Sequence, residues 1–195
     1  MAATDNKRSK QTQSERREIT QTKIINSASQ LFGDCGFAHV SIDQIATATG
    51  MTEGAIYHHY GNKLKLFTAV TEFQEAQLAE KIAALGSFED VSSVLSVWEV
   101  FLEVCKAPYF VRIVLEDAPH ILGKERWHSS SVLKQLDTLF FDSELVKQLN
   151  LSMQDQALLL RMLTSALAEA ALMIAKNPDY DAAPMLKKII TLLLP

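Results

Sequence analysis

The side chains with the most evident chemistry are two adjacent histidines, two cysteines, and a group of hydroxyl and amino donors between positions 41 and 63. His58 and His59 are neighbours, and adjacent helix positions do not face each other, so the two rings cannot share one ligand site. Cys35 and Cys105 are too few for a disulfide framework, and no His or Cys grouping has zinc-ligand spacing. Neither a metal nor a cofactor is expected. Cys105 also lacks an activating charge, because Lys106 adjoins it in sequence but faces elsewhere on the helix, which argues against a redox switch. Enzyme chemistry finds no footing either: there is no Gly-rich phosphate loop, no carboxylate pair at a defined spacing and no nucleophile motif. Binding chemistry remains. Lys63 opens a predicted helix, where its ammonium joins free backbone N–H groups to make a phosphate site. Tyr57 offers a phenol donor, and Ser41 a hydroxyl at another helix start.

The segment SIDQIATATGMTEGAIYHHYGNK must position these donors. Ser41 and Gln44 form an S-x-x-Q capping box, which satisfies free donors at a helix start. Ile42, Ile45, Ala46 and Thr49 then make an i, i+3, i+4, i+7 stripe on a short helix. Gly50 ends it, because a tight turn between crossing helices needs a residue tolerant of positive φ. Thr52 caps the next helix, whose Ile56 and Tyr60 face inward one turn apart. Two short helices joined by a Gly-containing turn make a helix-turn-helix; a plain helical hairpin is the alternative, disfavoured by the small Ala46 and the polar second helix.

Helical periodicity continues on both sides. Residues 1–15 are polar, without apolar periodicity, and read as a disordered basic arm. Ile24, Ala28, Leu31 and Phe32 mark a helix over 16–34, with Gly36 as a left-handed stop. Lys63 starts a helix reaching about Leu85, and Ser87 or Asp90 caps another over 91–106. Pro108 permits a further start, Pro119 acts as breaker and Gly123 as turn. Helical pattern then resumes over 125–150. Residues 154–176 are apolar nearly all round, which suggests burial on two sides, and Pro184 begins the last helix.

Composition agrees with an all-α globular protein. Apolar residues make up 48% of the chain, and only 7 Gly and 5 Pro punctuate it, which disfavours a many-turned β-fold. The N-terminus lacks the apolar run of a secretory signal, and no stretch approaches membrane-spanning length, so a cytoplasmic protein without membrane contact is expected. Net charge is −4, unfavourable for a nucleic-acid binder until the chain is divided. Residues 1–70 hold 8 Lys/Arg against 6 Asp/Glu, whereas residues 71–195 hold 11 against 17. The cationic part therefore lies at the N-terminus, and the acidic remainder would turn it toward phosphate.

Residues 16–70 resemble the tetracycline-repressor (TetR) family of transcriptional regulators. The resemblance is carried by Leu31-Phe32, Gly36-Phe37, Ser41, Ile45-Ala46, Gly50-Met51-Thr52, Gly54, Ile56-Tyr57, His59-Tyr60, Lys63 and Leu66-Phe67. It implies about nine helices: a three-helix helix-turn-helix domain over 16–65 and a helical effector-binding and dimerisation bundle over 66–195. It also implies a homodimer on a pseudo-palindromic double-stranded DNA operator, released by a small, largely apolar effector. By the same resemblance Thr52, Glu53, Gly54 and Ala55 lie nearest the base edges, while Tyr57, His58 and Lys63 lie at the phosphates. Glu53 and Asp43 depart from the commoner family pattern; a carboxylate there repels phosphate, accepts from a cytosine amino group, or simply favours the helix dipole. Trp98, Phe101, Cys105, Tyr109, Phe110, Trp127, Phe140 and Met162 are the candidate pocket residues, with ordinary core packing as the alternative. The dimer contact is expected on two stripes of the last helices, Ala168, Ala171 and Ala175 with Leu186, Ile189 and Leu193. A helical protein-interaction module, or a constitutive DNA binder without ligand sensing, is the rival reading.

Overall fold

A computed structural model describes residues 12–177 and 179–193, apart from the side chains of Pro108 and Leu193. Among the described residues every regular element is helical. Helix α1 (Gln13–Cys35) starts at a capping box: the Thr12 hydroxyl accepts from the Glu15 N–H at 3.2 Å, and the Glu15 carboxylate accepts from the Thr12 N–H at 2.7 Å. This corrects the expected arm over 1–15, because residues 13–15 are helical and residues 1–11 lie outside the described residues. The T-x-x-E signature explains the earlier start. At the other end, Gly36 has the expected positive φ of 79°, but its ψ of 158° is extended instead of left-handed helical. A Cβ there would lie 2.7 Å from a guanidinium nitrogen at the flexible end of Arg112, so it is the positive φ that favours glycine.

A 3-10 turn, Phe37–His39, leads into α2 (Ile42–Thr49) and α3 (Glu53–Tyr60). The Ser41–Gln44 capping box forms as expected, and Gly50 takes φ 65° and ψ 30°, the left-handed turn. Thr52 caps α3 by accepting from the Ala55 N–H at 3.2 Å. Ile24, Ala28 and Phe32 of α1 meet Ile45, Ala46 and Ile56 in a fully enclosed core. Helix α4 (Lys63–Ala83), capped by Asn62, adds Leu66, Phe67 and Val70 to that core. Its far half buries Leu78 and Ile82 in the larger domain. The expected boundary at 65/66 thus falls inside a rod about 30 Å long at 1.5 Å per residue.

In the larger domain α5 (Val91–Cys105) is capped by Asp90. Helix α6 (Pro108–Phe110) runs into a π-helical stretch, Val111–Asp117, and on into α7 (Ala118–Ile121). Pro119 therefore does not break the helix as expected from sequence. The wide turns ahead of it keep its ring from the carbonyl one α-turn back. The helix expected over 125–150 is instead a 3-10 segment, Lys124–Ser129, then α8 (Ser131–Phe141) and α9 (Glu144–Gln148). Serines make the breaks: Ser130 caps α8, and buried Ser143 caps α9 while donating to the Phe88 carbonyl at 2.7 Å. Helices α10 (Met153–Lys176) and α11 (Ala183–Leu193) pack on α5, and α8 bridges α4 and α10. Among the described residues, counting α6 to α7 as one rod and setting aside the five-residue α9 leaves the nine helices expected.

Contrary to the sequence expectation, α10 is long and apolar enough to cross a membrane by length and composition. Arg161 and Glu169 split its apolar runs, which is why no single stretch reached that length. In the fold Leu160, Leu163, Leu167, Ala170 and Ala171 of α10 lie in the protein core.

Candidate nucleic-acid interface

The N-terminal turn of α3 is open to solvent. Thr52, Glu53 and Gly54 are exposed and Ala55 is half-buried, so the four residues expected nearest the bases share one accessible turn. A Cβ on Gly54 would meet only the hydroxyl of its own cap, Thr52, at 3.9 Å. Tyr57 is 45% exposed and His58 fully presented, while Ile56 is buried beneath them. Ser41 stays exposed although its oxygen already accepts from the Gln44 N–H, which leaves its O–H free to donate outward. Glu53 and Asp43 are both exposed and both sit in the first turns of their helices, where a carboxylate favours the dipole.

Tyr60 fixes the recognition turn to α1 by donating to the Gln21 carbonyl at 3.3 Å, and burial pushes its phenol pKa up. His59 is half-buried, with its Nδ1 enclosed and unpartnered among the described residues. Burial, then the neighbouring His58 and Arg17, push its pKa down, so the ring stays neutral and packs. The two rings lie edge to face with centroids 5.7 Å apart. Among the described residues no group of three His, Cys, Asp or Glu is placed to hold a metal.

Lys63, at the start of α4, rests on an aromatic ring. Its Nζ lies 4.3 Å from the centroid of the Phe37 ring, and burial lowers its pKa. Phe37 is itself held from two further directions. Its ring meets Phe67 at 4.9 Å, and its N–H donates to Asp117 Oδ2 at 2.7 Å across 80 residues of sequence. Asp117 ends the π-helical stretch, so the larger domain touches the headpiece one residue from Gly36, at the residue whose ring carries Lys63.

The expected pocket residues scatter. Trp98, Phe101, Phe110 and Phe140 are nearly fully buried, but Trp98 also borders a cleft of about 400 Å³ with Leu95 and Leu186, and Phe110 with Tyr109 borders one of about 200 Å³. Met162 is 56% exposed and lines no interior space, a correction that follows from its place on the outer face of α10. Tyr109 lies on the surface against Gly33, too close to allow any side chain there. Trp127 is half-buried and borders only a void of about 20 Å³. Cys105 lines a cavity of about 530 Å³ with Gly33, Val111, Arg112, Ile174 and Ala175. Burial pushes its thiol up to about 12, so it is a neutral, apolar wall. Arg112 was the missed signal: a lone cation in the run YFVRIVLED.

The small-residue stripe also turns inward. Ala171 and Leu186 are buried within the chain, Ala168 and Ile189 half-buried, and Ala175 borders the cavity; the Leu193 side chain is outside the described residues. Small side chains let α5 and the π-helical stretch approach α10 closely within one chain. The large apolar residues left outside are Met153, Leu158, Met162 and Met173 on α10 and Met185 and Leu192 on α11. Because α10 is apolar nearly all round, sequence periodicity could not tell its inner from its outer face.

Known proteins repeat this plan. The transcriptional repressor AcnR of Corynebacterium efficiens is 33% identical over 73 residues, which is 37% of this chain and 39% of that protein, so the match spans well under half of the relative. A TetR-family transcriptional regulator from Pectobacterium atrosepticum superposes with a TM-score of 0.66 at 28% identity, covering 94% of this chain and 95% of that one. The regulator FadR of Bacillus subtilis, solved in complex with stearoyl-CoA, shares the fold at a TM-score of 0.72 and 16% identity, covering 89% and 97%. Residues 24–70 match the family described as bacterial regulatory proteins, tetR family, and residues 91–194 match the tetracyclin repressor-like C-terminal domain. With both parts matched, and the second alone spanning more than half its length, this chain belongs to the TetR family of regulatory proteins.

Proposed function

We propose that the chain is a sequence-specific DNA-binding transcriptional regulator, acting in the cytoplasm as a homodimer that a small molecule releases from a pseudo-palindromic operator. Gly54 is the observation that carries the DNA half. Glycine in a helix costs roughly 1 kcal/mol relative to alanine, and nothing in the chain crowds a side chain at this position. A glycine that the chain itself does not need leaves the first turn of α3 bare, open to close approach by a duplex backbone or base edge. Thr52, Glu53 and Ala55 flank that approach, and Ser41, Tyr57, His58 and Lys63 supply donors for phosphates. The exposed apolar residues of α10 and α11 favour a second copy of the chain, which would set two headpieces on two half-sites. Repression is the sense we assign, in keeping with the name of the Corynebacterium relative.

Lys63→Met tests the phosphate role, because it keeps an apolar stem over Phe37 and deletes only the charge. Each phosphate contact contributes about 0.9 to the slope of log affinity against log salt. The variant dimer, with two such contacts gone, is expected to bind every duplex more weakly and with a slope flatter by about two units. Fluorescence anisotropy over a salt series measures it; an unchanged slope rejects the role.

A further inference from the structure

We propose that the cavity of about 530 Å³ between headpiece and larger domain binds an amphipathic monocarboxylate of medium size, held by Arg112, and that occupancy reaches the DNA face through Phe37. This deepens the ligand-responsive reading above and rests on it for the DNA effect only. The cavity's size is that of a small-molecule site. Its walls are apolar, since the Cys105 thiol is neutral and Val111, Ile174 and Ala175 offer hydrocarbon. Its polar edge carries Lys106, Arg112 and Glu116.

Of the two cations, Lys106 is already engaged with Glu103. Arg112 is committed more loosely: it is 44% exposed, pairs with Glu116 at 3.7 Å and Asp117 at 3.9 Å, both beyond hydrogen-bond reach, and makes no hydrogen bond to a described residue. A planar guanidinium with unused donors beside an apolar cavity suits a carboxylate with a hydrocarbon body. The same guanidinium packs on Gly36, and Asp117 holds the Phe37 N–H, with Lys63 resting on the Phe37 ring. Drawing Arg112 into the cavity removes it from Gly36 and from Asp117. The Asp117–Phe37 contact then loses its neighbouring cation, and the Lys63 ammonium shifts with the ring beneath it.

Calorimetry of the full chain with octanoate, octan-1-ol and octylammonium tests the site. Octanoate is expected to bind, with the alcohol and the amine weaker by about tenfold or more, the contribution of one charge-assisted pair. Arg112→Met should remove that preference, Arg112→Lys restore part of it, and Ala175→Phe, which fills the cavity from an exposed position, abolish binding of octanoate. Equal binding of octanoate and octanol, preference for octylammonium through Glu116, or indifference to Arg112→Met would each overturn the assignment. For the coupling, octanoate should weaken DNA binding by wild type, while Asp117→Asn should bind octanoate as well as wild type and lose that effect. Loss of the effect only together with octanoate binding, or its full retention, would reject the Phe37 route. A chain that binds no DNA without ligand refutes the regulator reading, whereas one that binds DNA but prefers no anion refutes only this site.

Discussion

If the proposed dimer forms through α10 and α11, Leu158→Glu combined with Met162→Glu is expected to give monomers and to lower affinity for a two-half-site operator by about a hundredfold to ten-thousandfold. The two side chains lie one helical turn apart on α10, each 56% exposed, and α11 leaves Met185 and Leu192 exposed as well. An apolar surface of this kind is expensive in water and cheap against its own copy. Two carboxylates placed on it meet two more across a two-fold axis, in a setting that excludes water. Linking two headpieces raises affinity through effective concentration, so removing the link forfeits that gain without touching any base contact. Sedimentation velocity should show the monomer, and binding to a single half-site should be unchanged. Ala171→Arg serves as the contrast. Ala171 is buried inside one chain, so a guanidinium there should unfold the protein and leave no soluble monomer. A charged pair of variants that remains dimeric would move the interface to another surface.

Arg126→Ala is expected to cost about 3 kcal/mol of stability, lowering the melting temperature by roughly 6–12 °C. Glu75 of α4 is 1% exposed, and both its oxygens accept from Arg126, one of them at 2.8 Å. Removing the guanidinium strands a buried carboxylate in the middle of the rod that joins the two domains. Burial raises the Glu75 pKa, with Arg126 pulling it down and Glu72 adding to the rise. A carboxyl raised in the folded state contributes stability that is fully present below its unfolded value and is lost as pH climbs through the raised one. The deficit of Arg126→Ala should therefore grow from acid toward neutral pH, because the stranded group is tolerable when protonated. Replacing both partners, Glu75→Gln with Arg126→Met, should recover most of the loss. Denaturant melts at pH 5 and pH 7.5 measure this, and a deficit that shrinks toward neutrality would show the pair to be dispensable.

Local signals were legible in the sequence and long-range ones were not. The capping box at Ser41 and Gln44, the cap at Thr52 and the left-handed Gly50 are each decided within four residues, so the helix-turn-helix could be read directly. Thr12 and Glu15 carried a signal of the same kind that the absence of apolar periodicity obscured. The breaks at Ser130 and Ser143 were hidden because apolar spacing continues across them, and Ser143 is committed by a carbonyl 55 residues away. Pro119 reads as a stop unless the preceding turns widen, which is a tertiary choice. At the candidate site the exposed turn of α3 was foreseen. The contacts of Phe37 were not, since Asp117 reaches its N–H across 80 residues and Lys63 lies over its ring. Pocket residues were selected as large and apolar, which is also the description of a core. The cavity instead lies where helix ends and a loosely committed arginine meet.

Selection of bound duplexes from a random pool by the purified chain tests the central claim most directly. The expected result is enrichment of one pseudo-palindrome, with half-site centres about 34 Å or a multiple of it apart along the duplex, and loss of that enrichment when Gly54 is replaced by Phe in a chain that melts normally. Recovery of unselected sequence by the wild-type dimer, or an enriched site indifferent to Gly54→Phe, would contradict the account.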